Sequence, residues 1–374
     1  MIAGICLMAV PYGATQHGAT DPSDSQILAV LATHQYNLKT DGRAFLLNEA
    51  EDNDFFLLGE LHGDNEIPAL LRNLWPEMWE KGYRHIAAEV SPWAAHQLEL
   101  APAGKGPEIR GLWTRQEAAH VHAPAGPGAA VLWGCDMEEE QPEFLIRELA
   151  ALSPTDSNLK QMVELTKNGY NRKLAPDLLD LARISKAGAD EQPNGLSLRE
   201  NLVATLEIEA HRLPPNTRMM AQLEREQLMK TQFLTHFRQM PSQASPSKVL
   251  LRFGRNHLHR GYDARGVSTL GNFIAEFAVA DGRKAFNVGA FGAGGKAALL
   301  GDTWNADERP DELAFALLAD NARYSATIFD LRPLRRLLHQ IPQEKRTALH
   351  SNLIYWADSY DALICYKTVT PRAP

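Results

Sequence analysis

Short, unbroken apolar runs recur along the chain, each closed by Gly, Asp or Asn. They fall at residues 54–59, 85–90, 130–136, 248–254, 284–289, 325–330 and 362–368. A strand with one wet face alternates apolar and polar positions; an unbroken run marks a strand buried on both faces. Between these runs the apolar spacing becomes helical. Strand runs alternating with helices predict an α/β fold with a mostly parallel central sheet flanked by helices.

Local signals place the first connections. Asp64 caps a helix reaching about Lys81, with Pro68 tolerated in its first turn and Gly82 closing it. Ser91-Pro92 reads as an N-cap followed by Pro at the first helical position. Residues 141–246 differ from the rest. They carry no strand run, Leu198, Leu202 and Leu206 recur at helical spacing, and Pro154, Gly169, Pro193-Asn194-Gly195 and Pro214-Pro215 punctuate them. The pattern predicts one composite domain: a first α/β half over 24–140, a helical insertion over 141–246 forming a cap, and a second half over 247–374. A Ser- and Pro-rich stretch, 241–248, returns the chain to the sheet.

The 374 residues are 44% hydrophobic and 22% charged, enough apolar material for a large core. The net charge of −8 is spread along the chain with no basic stretch, which argues against nucleic acid or an anionic membrane surface as partner. Residues 1–10 are apolar but too few to span a bilayer, which takes roughly 20. They read as the core of a signal peptide over 1–20, with the best cleavage region around Ala14 or Ala19. No Lys or Arg precedes the run, and a disordered N-terminus is the other reading. The signal reading implies an exported protein, periplasmic or secreted. Cys135 and Cys365 then remain, as a disulfide or as two buried free thiols.

Candidate chemistry sits where the apolar runs stop. In Gly59-Glu60-Leu61-His62-Gly63-Asp64, Glu60 and His62 are two apart, so extended backbone points both the same way. A carboxylate and an imidazole at a strand end suit metal ligation or general-base catalysis; surface capping is the plainer alternative. Glu89 closes Ile86-Ala87-Ala88, where a carboxylate is costly unless paired or ligating. Asp136 closes the run through Cys135 and makes the same case more weakly. In Arg252-Phe253-Gly254-Arg255-Asn256-His257-Leu258-His259-Arg260, two His follow another buried strand. Strand ends converging on one crevice is the rule for open α/β sheets. Arg225, on the last insertion helix, could reach a carboxylate or an oxyanion, or sit ion-paired on an exposed face.

Other signals are weaker. His120-Val121-His122 reads as part of a loop rich in Pro, Ala and Gly. Gly289 to Lys296 has the flavour of a phosphate loop but the wrong spacing, and reads as a flexible loop at a strand end. The sequence has no G-x-S-x-G, H-E-x-x-H, C-x-x-C or dinucleotide fingerprint. Serine-nucleophile hydrolases, zincins, thioredoxin-type proteins and Rossmann enzymes lose ground accordingly.

Taken in order over residues 54–371, the pieces resemble the superfamily of erythromycin esterases, ChaN-like haem-binding proteins and Tiki-type metalloproteases. They are Gly59-Glu60-Leu61-His62-Gly63 with Glu66, Gly82-Tyr83 through Glu89, and Gly134-Cys135-Asp136. Then come Arg225-Glu226 with Met229, Asn256-His257-Leu258-His259, and Tyr360 through Ile364 ahead of Thr370-Pro371. The esterases tend to place two residues between the first Glu and His; here Leu61 alone intervenes, as in ChaN-like proteins.

The resemblance implies a hydrolase acting on an ester, lactone or amide of a small-molecule or peptide substrate. His62, oriented by Glu60 or Glu89, takes a proton from water, with His257 in the same catalytic group. His257, His259 or Arg225 stabilises the oxyanion, and Arg225, His259, Asn256 and Asp136 bind the substrate. If a divalent metal is present, Glu60, His62, Glu89 and His257 are its ligands. The alternative is a ChaN-like protein that holds haem or iron through His or Tyr, with Tyr262 a candidate, without catalysis.

Overall fold

A computed structural model describes residues 22–100, 109, 111–126, 129–138, 142–185, 197–240 and 247–372. The leader reading over 1–20, with Cys6, falls outside these residues, as do Pro193-Asn194-Gly195 and most of the stretch 241–248.

All seven apolar runs form strands. They are β2 (Phe55–Glu60), β3 (Tyr83–Ala88), β4 (Leu132–Gly134), β5 (Lys248–Gly254), β6 (Ala285–Gly292), β9 (Ala326–Asp330) and β10 (Ala362–Tyr366). Three more join them: β1 (Gln35–Asn37), β7 (Lys296–Leu299) and β8 (Asp302–Asn305). Among the described residues, eight strands make one sheet in the order β1-β9-β10-β6-β2-β5-β3-β4. The pairings from β10 across to β4 are parallel; β9 runs antiparallel to both its neighbours.

The unbroken runs have the expected cause. Phe55 and Leu57 of β2 face a core shared with Phe233, Ile274 and Phe291, while Phe56 and Leu58 face one shared with Ile67, Leu71 and Trp75. Both faces of the strand are dry from Phe55 to Leu58, so those positions are apolar. Each such side chain contributes roughly 1.5–3 kcal/mol by leaving water. Its neighbours across the sheet do likewise, which fixes where β2 and β5 end and so where the polar residues begin.

The helix after β2 runs Glu66–Glu80, and Asp64 accepts from the Ile67 amide at 2.8 Å. The Ser91 hydroxyl accepts from the Ala94 amide at 3.0 Å and starts the helix Pro92–Leu100. Between residues 142 and 240 the described residues are helical, without a strand. Leu145, Leu178, Leu198, Leu202 and Leu206 pack there against Trp93 and Ala94. The last helix of this segment, Arg218–Gln239, instead places Met229 and Phe233 in the main core.

Two local expectations need correction. His120 and His122 lie in the last turn of the helix Arg115–His122, not in a loop; Thr114 and Glu117 form a capping box that starts it. The stretch after Gly289 is not a flexible loop either. β6 continues to Gly292, and β7 and β8 form an antiparallel hairpin. All four residues of β8 are exposed, so the hairpin has no apolar alternation to betray it. Cys135 and Cys365 are buried free thiols. They follow β4 and lie on β10, at opposite ends of a parallel run of six strands spaced about 4.8 Å apart, beyond the reach of a disulfide.

Candidate active site

The neighbouring strands β2, β5, β3 and β4 end on one side of the sheet, and their last residues meet there. His62, Glu89, Asp136 and His257 line one cleft of about 290 Å³, together with Arg225, Ser91 and Glu138. Glu60 is buried beneath it, bonded to His62.

Glu60 is held from both sides. Arg252 Nε donates to its Oε2 at 2.5 Å, and His62 Nδ1 donates to its Oε1 at 3.1 Å. Arg252 sits inside β5 over the Trp113 ring, 4.6 Å from its centroid, and reaches Glu117 at 3.3 Å. Burial works against the Glu60 charge, but Arg252 first and then His62 outweigh it. The carboxyl stays below its ordinary value.

Glu89 accepts from Arg225 Nη2 at 3.0 Å and from the Gly254 amide at 2.6 Å. His257 Nε2 stands 3.4 Å from its Oε1, and His62 Nε2 3.8 Å from its Oε2. Burial again opposes the charge; His257, His62 and Arg225 hold the carboxyl well below its usual range. Gly254 makes this approach possible. A Cβ there would meet His62 Nε2 at 2.5 Å, closer than real side chains come.

The two cleft histidines differ. His257 donates from Nδ1 to Glu226 at 2.6 Å and faces Glu89 with Nε2. Burial lowers its pKa, but Glu89 and Glu226 outweigh that and raise it to about 10. Both its nitrogens therefore carry protons aimed at carboxylates. His62 has one nitrogen tied to Glu60, while Nε2 lies beyond hydrogen-bond distance of Glu89. Its side chain is 36% exposed. Burial lowers its pKa too, yet Glu89 and then Glu60 leave it above the ordinary imidazole value.

Arg225 clamps Asp136 as well as Glu89, through Nε to Oδ1 at 3.0 Å and Nη2 to Oδ2 at 2.5 Å. Both residues lie at the cleft, engaged with each other. Asn256 and His259 do not join them. Beyond Gly254 the chain curls into a short 3-10 turn, Arg255–His257, so alternate residues no longer share a side. Asn256 is exposed. His259 is buried among the rings of Tyr355, Trp356 and Tyr360, with centroids 4.9, 5.0 and 5.2 Å away. Tyr262 is 68% exposed and, like His259, absent from the cleft lining. Tyr262, the residue named for haem, therefore does not join the cleft.

The four residues considered as metal ligands converge, and all but His62 Nε2 are engaged with protein partners. Both Glu60 oxygens accept hydrogen bonds, both Glu89 oxygens accept others, and His257 presents protons rather than lone pairs. Two guanidinium groups lie in the same cluster. Among the described residues no group of three His, Cys, Asp or Glu is arranged to hold a metal ion. The two guanidinium groups and His257 are set against the carboxylates of Glu60, Glu89, Asp136 and Glu226.

Two partners escaped the sequence reading, Arg252 and Glu138, and Glu226 entered it only beside Arg225 in the resemblance. Arg252 did leave a signal, because an Arg inside Val249-Leu250-Leu251-Arg252-Phe253 must be paired. Glu226 takes the His257 proton and the Leu270 amide at 2.7 Å. Glu138 follows Asp136 by two residues. It is hydrogen-bonded to the Ser91 hydroxyl, and its own amide donates to Thr205 Oγ1 at 2.9 Å. Burial, with the nearby charges of Asp136 and Glu143, pushes its carboxyl up to about 8. The cleft thus holds one carboxyl that stays protonated at neutral pH.

No protein-family model matches the sequence, nor does any curated protein. Solved structures do match. A protein from Bacillus cereus is 16% identical with a TM-score of 0.60, over 94% of this chain and 99% of that one. A succinoglycan biosynthesis protein is 15% identical with a TM-score of 0.61, over the same shares. A mutant of the erythromycin esterase EreC in its open conformation is 12% identical with a TM-score of 0.59, over 89% of this chain and 95% of that one. The chain has the α/β fold that erythromycin esterase EreC shares with these two proteins.

Proposed function

We propose that the protein is a hydrolase that uses His62 to activate water against an ester, lactone or amide, without a metal ion in that step. One observation carries this reading. His62 is fixed at Nδ1 by Glu60, while its Nε2 edge stays clear of Glu89 and its side chain is partly open to the cleft. The Glu60 bond places the proton on Nδ1 and leaves the lone pair on Nε2, as a general base requires. Arg252 keeps Glu60 ionised for that task.

In the reaction His62 Nε2 takes a proton from water as the oxygen adds to the carbonyl carbon. The cationic His257 and Arg225 oppose the negative charge that grows on the carbonyl oxygen. Collapse breaks the bond to the leaving group, whose oxygen or nitrogen receives a proton from Glu138. His62 then returns its proton to solvent, and Glu138 regains one. The shared fold with erythromycin esterase EreC agrees with this chemistry but does not choose the substrate.

The test is turnover of 4-nitrophenyl acetate and a simple lactone by protein freed of metal with a chelator. The expected result is steady hydrolysis that added divalent ions do not raise. No hydrolysis of esters, lactones or amides, or hydrolysis only after metal is restored, overturns the reading.

A further inference from the structure

The tip of the β7–β8 hairpin joins the same cleft: Leu299 and Leu300 line it beside His62. Leu299 pairs with Asp302, so Leu300 and Gly301 alone make the turn. Their φ values are +54° and +91°, the two positive angles of a type I′ turn. That turn favours Asn-Gly, because a branched apolar side chain fits the left-handed region poorly. Leu300 is the one non-glycine residue with positive φ among the described residues, and it is 49% exposed. Neither backbone preference nor burial accounts for a leucine there.

The hairpin is also pinned next to the candidate base. The Ala298 amide donates to the Gly63 carbonyl at 2.8 Å, one residue from His62. Gly63 has φ +80°, and a Cβ on it would meet Ala298 and Trp304 at 2.8 Å. The tip therefore cannot drift away from His62 without breaking this seat. Across the cleft, Val90, Ala94, Leu112 and Met137 add apolar surface. The floor is ionic and the rim is apolar.

From this we infer that the hairpin tip is a specificity element that receives an aliphatic chain, so that the substrates are amphiphilic esters or amides with a sizeable apolar acyl group. The inference rests on the hydrolase reading of the floor. Strained backbone held by its surroundings is where binding residues collect, and Leu300 keeps a costly conformation to present its side chain to the cleft. A chain lying between Leu300 and Leu112 leaves its carbonyl over the polar floor.

The experiment compares wild type with L300N, and with L300G as a second variant that also tolerates the turn. Binding of octanoate and of acetate is measured by calorimetry, and kcat/KM is measured on 4-nitrophenyl octanoate and acetate. Wild type should favour the eight-carbon chain in both assays. Either variant should cut that preference by about tenfold, the scale of losing one apolar contact, with a melting temperature equal to or above wild type. An unchanged octanoate-to-acetate ratio in both variants, or no chain preference in wild type, overturns the lip. Binding preference without turnover overturns the hydrolase reading and leaves the lip standing.

Discussion

The ends of β2 and β5 look alike in sequence: a buried run, a glycine, then polar residues with histidine. They behave differently in three dimensions. Past β2 the chain turns at His62 and Gly63, Glu60 and His62 meet, and His62 keeps one ring edge open. Past β5 it curls, so His257 is clamped between Glu226 and Glu89 while His259 turns into aromatic rings. The same residue type has an open ring edge in one place, is a clamped cation in the second and a packed side chain in the third. What separates the first two is how closely the carboxylates press: Glu226 and Glu89 stand 2.6 and 3.4 Å from His257, Glu60 and Glu89 3.1 and 3.8 Å from His62.

The strongest way to break the β2 end is to remove the cation beneath it. Arg252→Met leaves the buried Glu60 carboxylate without its guanidinium. The expected loss is about 3–5 kcal/mol of stability, read by chemical denaturation. A loss below about 1 kcal/mol would show that Glu60 does not depend on Arg252. Next comes the base itself. His62→Ala should lower turnover at least ~10²-fold while the melting temperature stays near wild type, because a cleft side chain makes few core contacts. His257→Asn also weakens activity, but acts on charge rather than proton transfer, so its pH profile should keep the acidic limb that His62 sets.

A third test sharpens the role of the neutral carboxyl. In the proposed reaction Glu138 acts protonated, so kcat should fall as pH rises past about 8, the value to which burial pushes it. Asp136 beside it, Glu143 and the Ser91 hydroxyl face this group, and Arg225 pairs with Asp136. Glu138→Gln cannot ionise and cannot give a proton; its rate should be lower and its alkaline limb should move or vanish. An unmoved limb would assign it to another group.

The smallest expected effect concerns the β5 end. The folded pKa of His257 lies above its unfolded value near 6.5. Its stabilising contribution is thus complete below about pH 6.5 and fades as pH climbs towards about 10. Melting temperatures across that window should decline more steeply for wild type than for His257→Asn. Parallel curves would mean that His257 is not the titrating group.

The sheet was legible because strands dry on both faces are apolar at most positions, and all seven such runs are strands. The meeting of Glu60, His62, Glu89 and His257 followed from their places after those runs. What the sequence concealed lies in pairing and in exposed structure. β1 is three residues long, and β8 is fully exposed, so neither has a pattern to read. Arg225 and Asp136, read as substrate contacts, bind each other across 89 residues of sequence. The 3-10 turn after Gly254, which sends His257 and His259 opposite ways, has no signature beyond its glycine.

The central claim is that His62 is a base whose open nitrogen loses its proton in the working pH range. The most direct measurement is the titration of His62 by ¹⁵N NMR, set beside the pH dependence of kcat/KM on one ester. The account predicts a single pKa, above the ordinary 6.5 of histidine, that coincides with the rising limb of kcat/KM. It also predicts that the proton retained after titration sits on Nδ1, towards Glu60. A rising limb that does not follow the His62 titration, or a proton retained on Nε2, would contradict it.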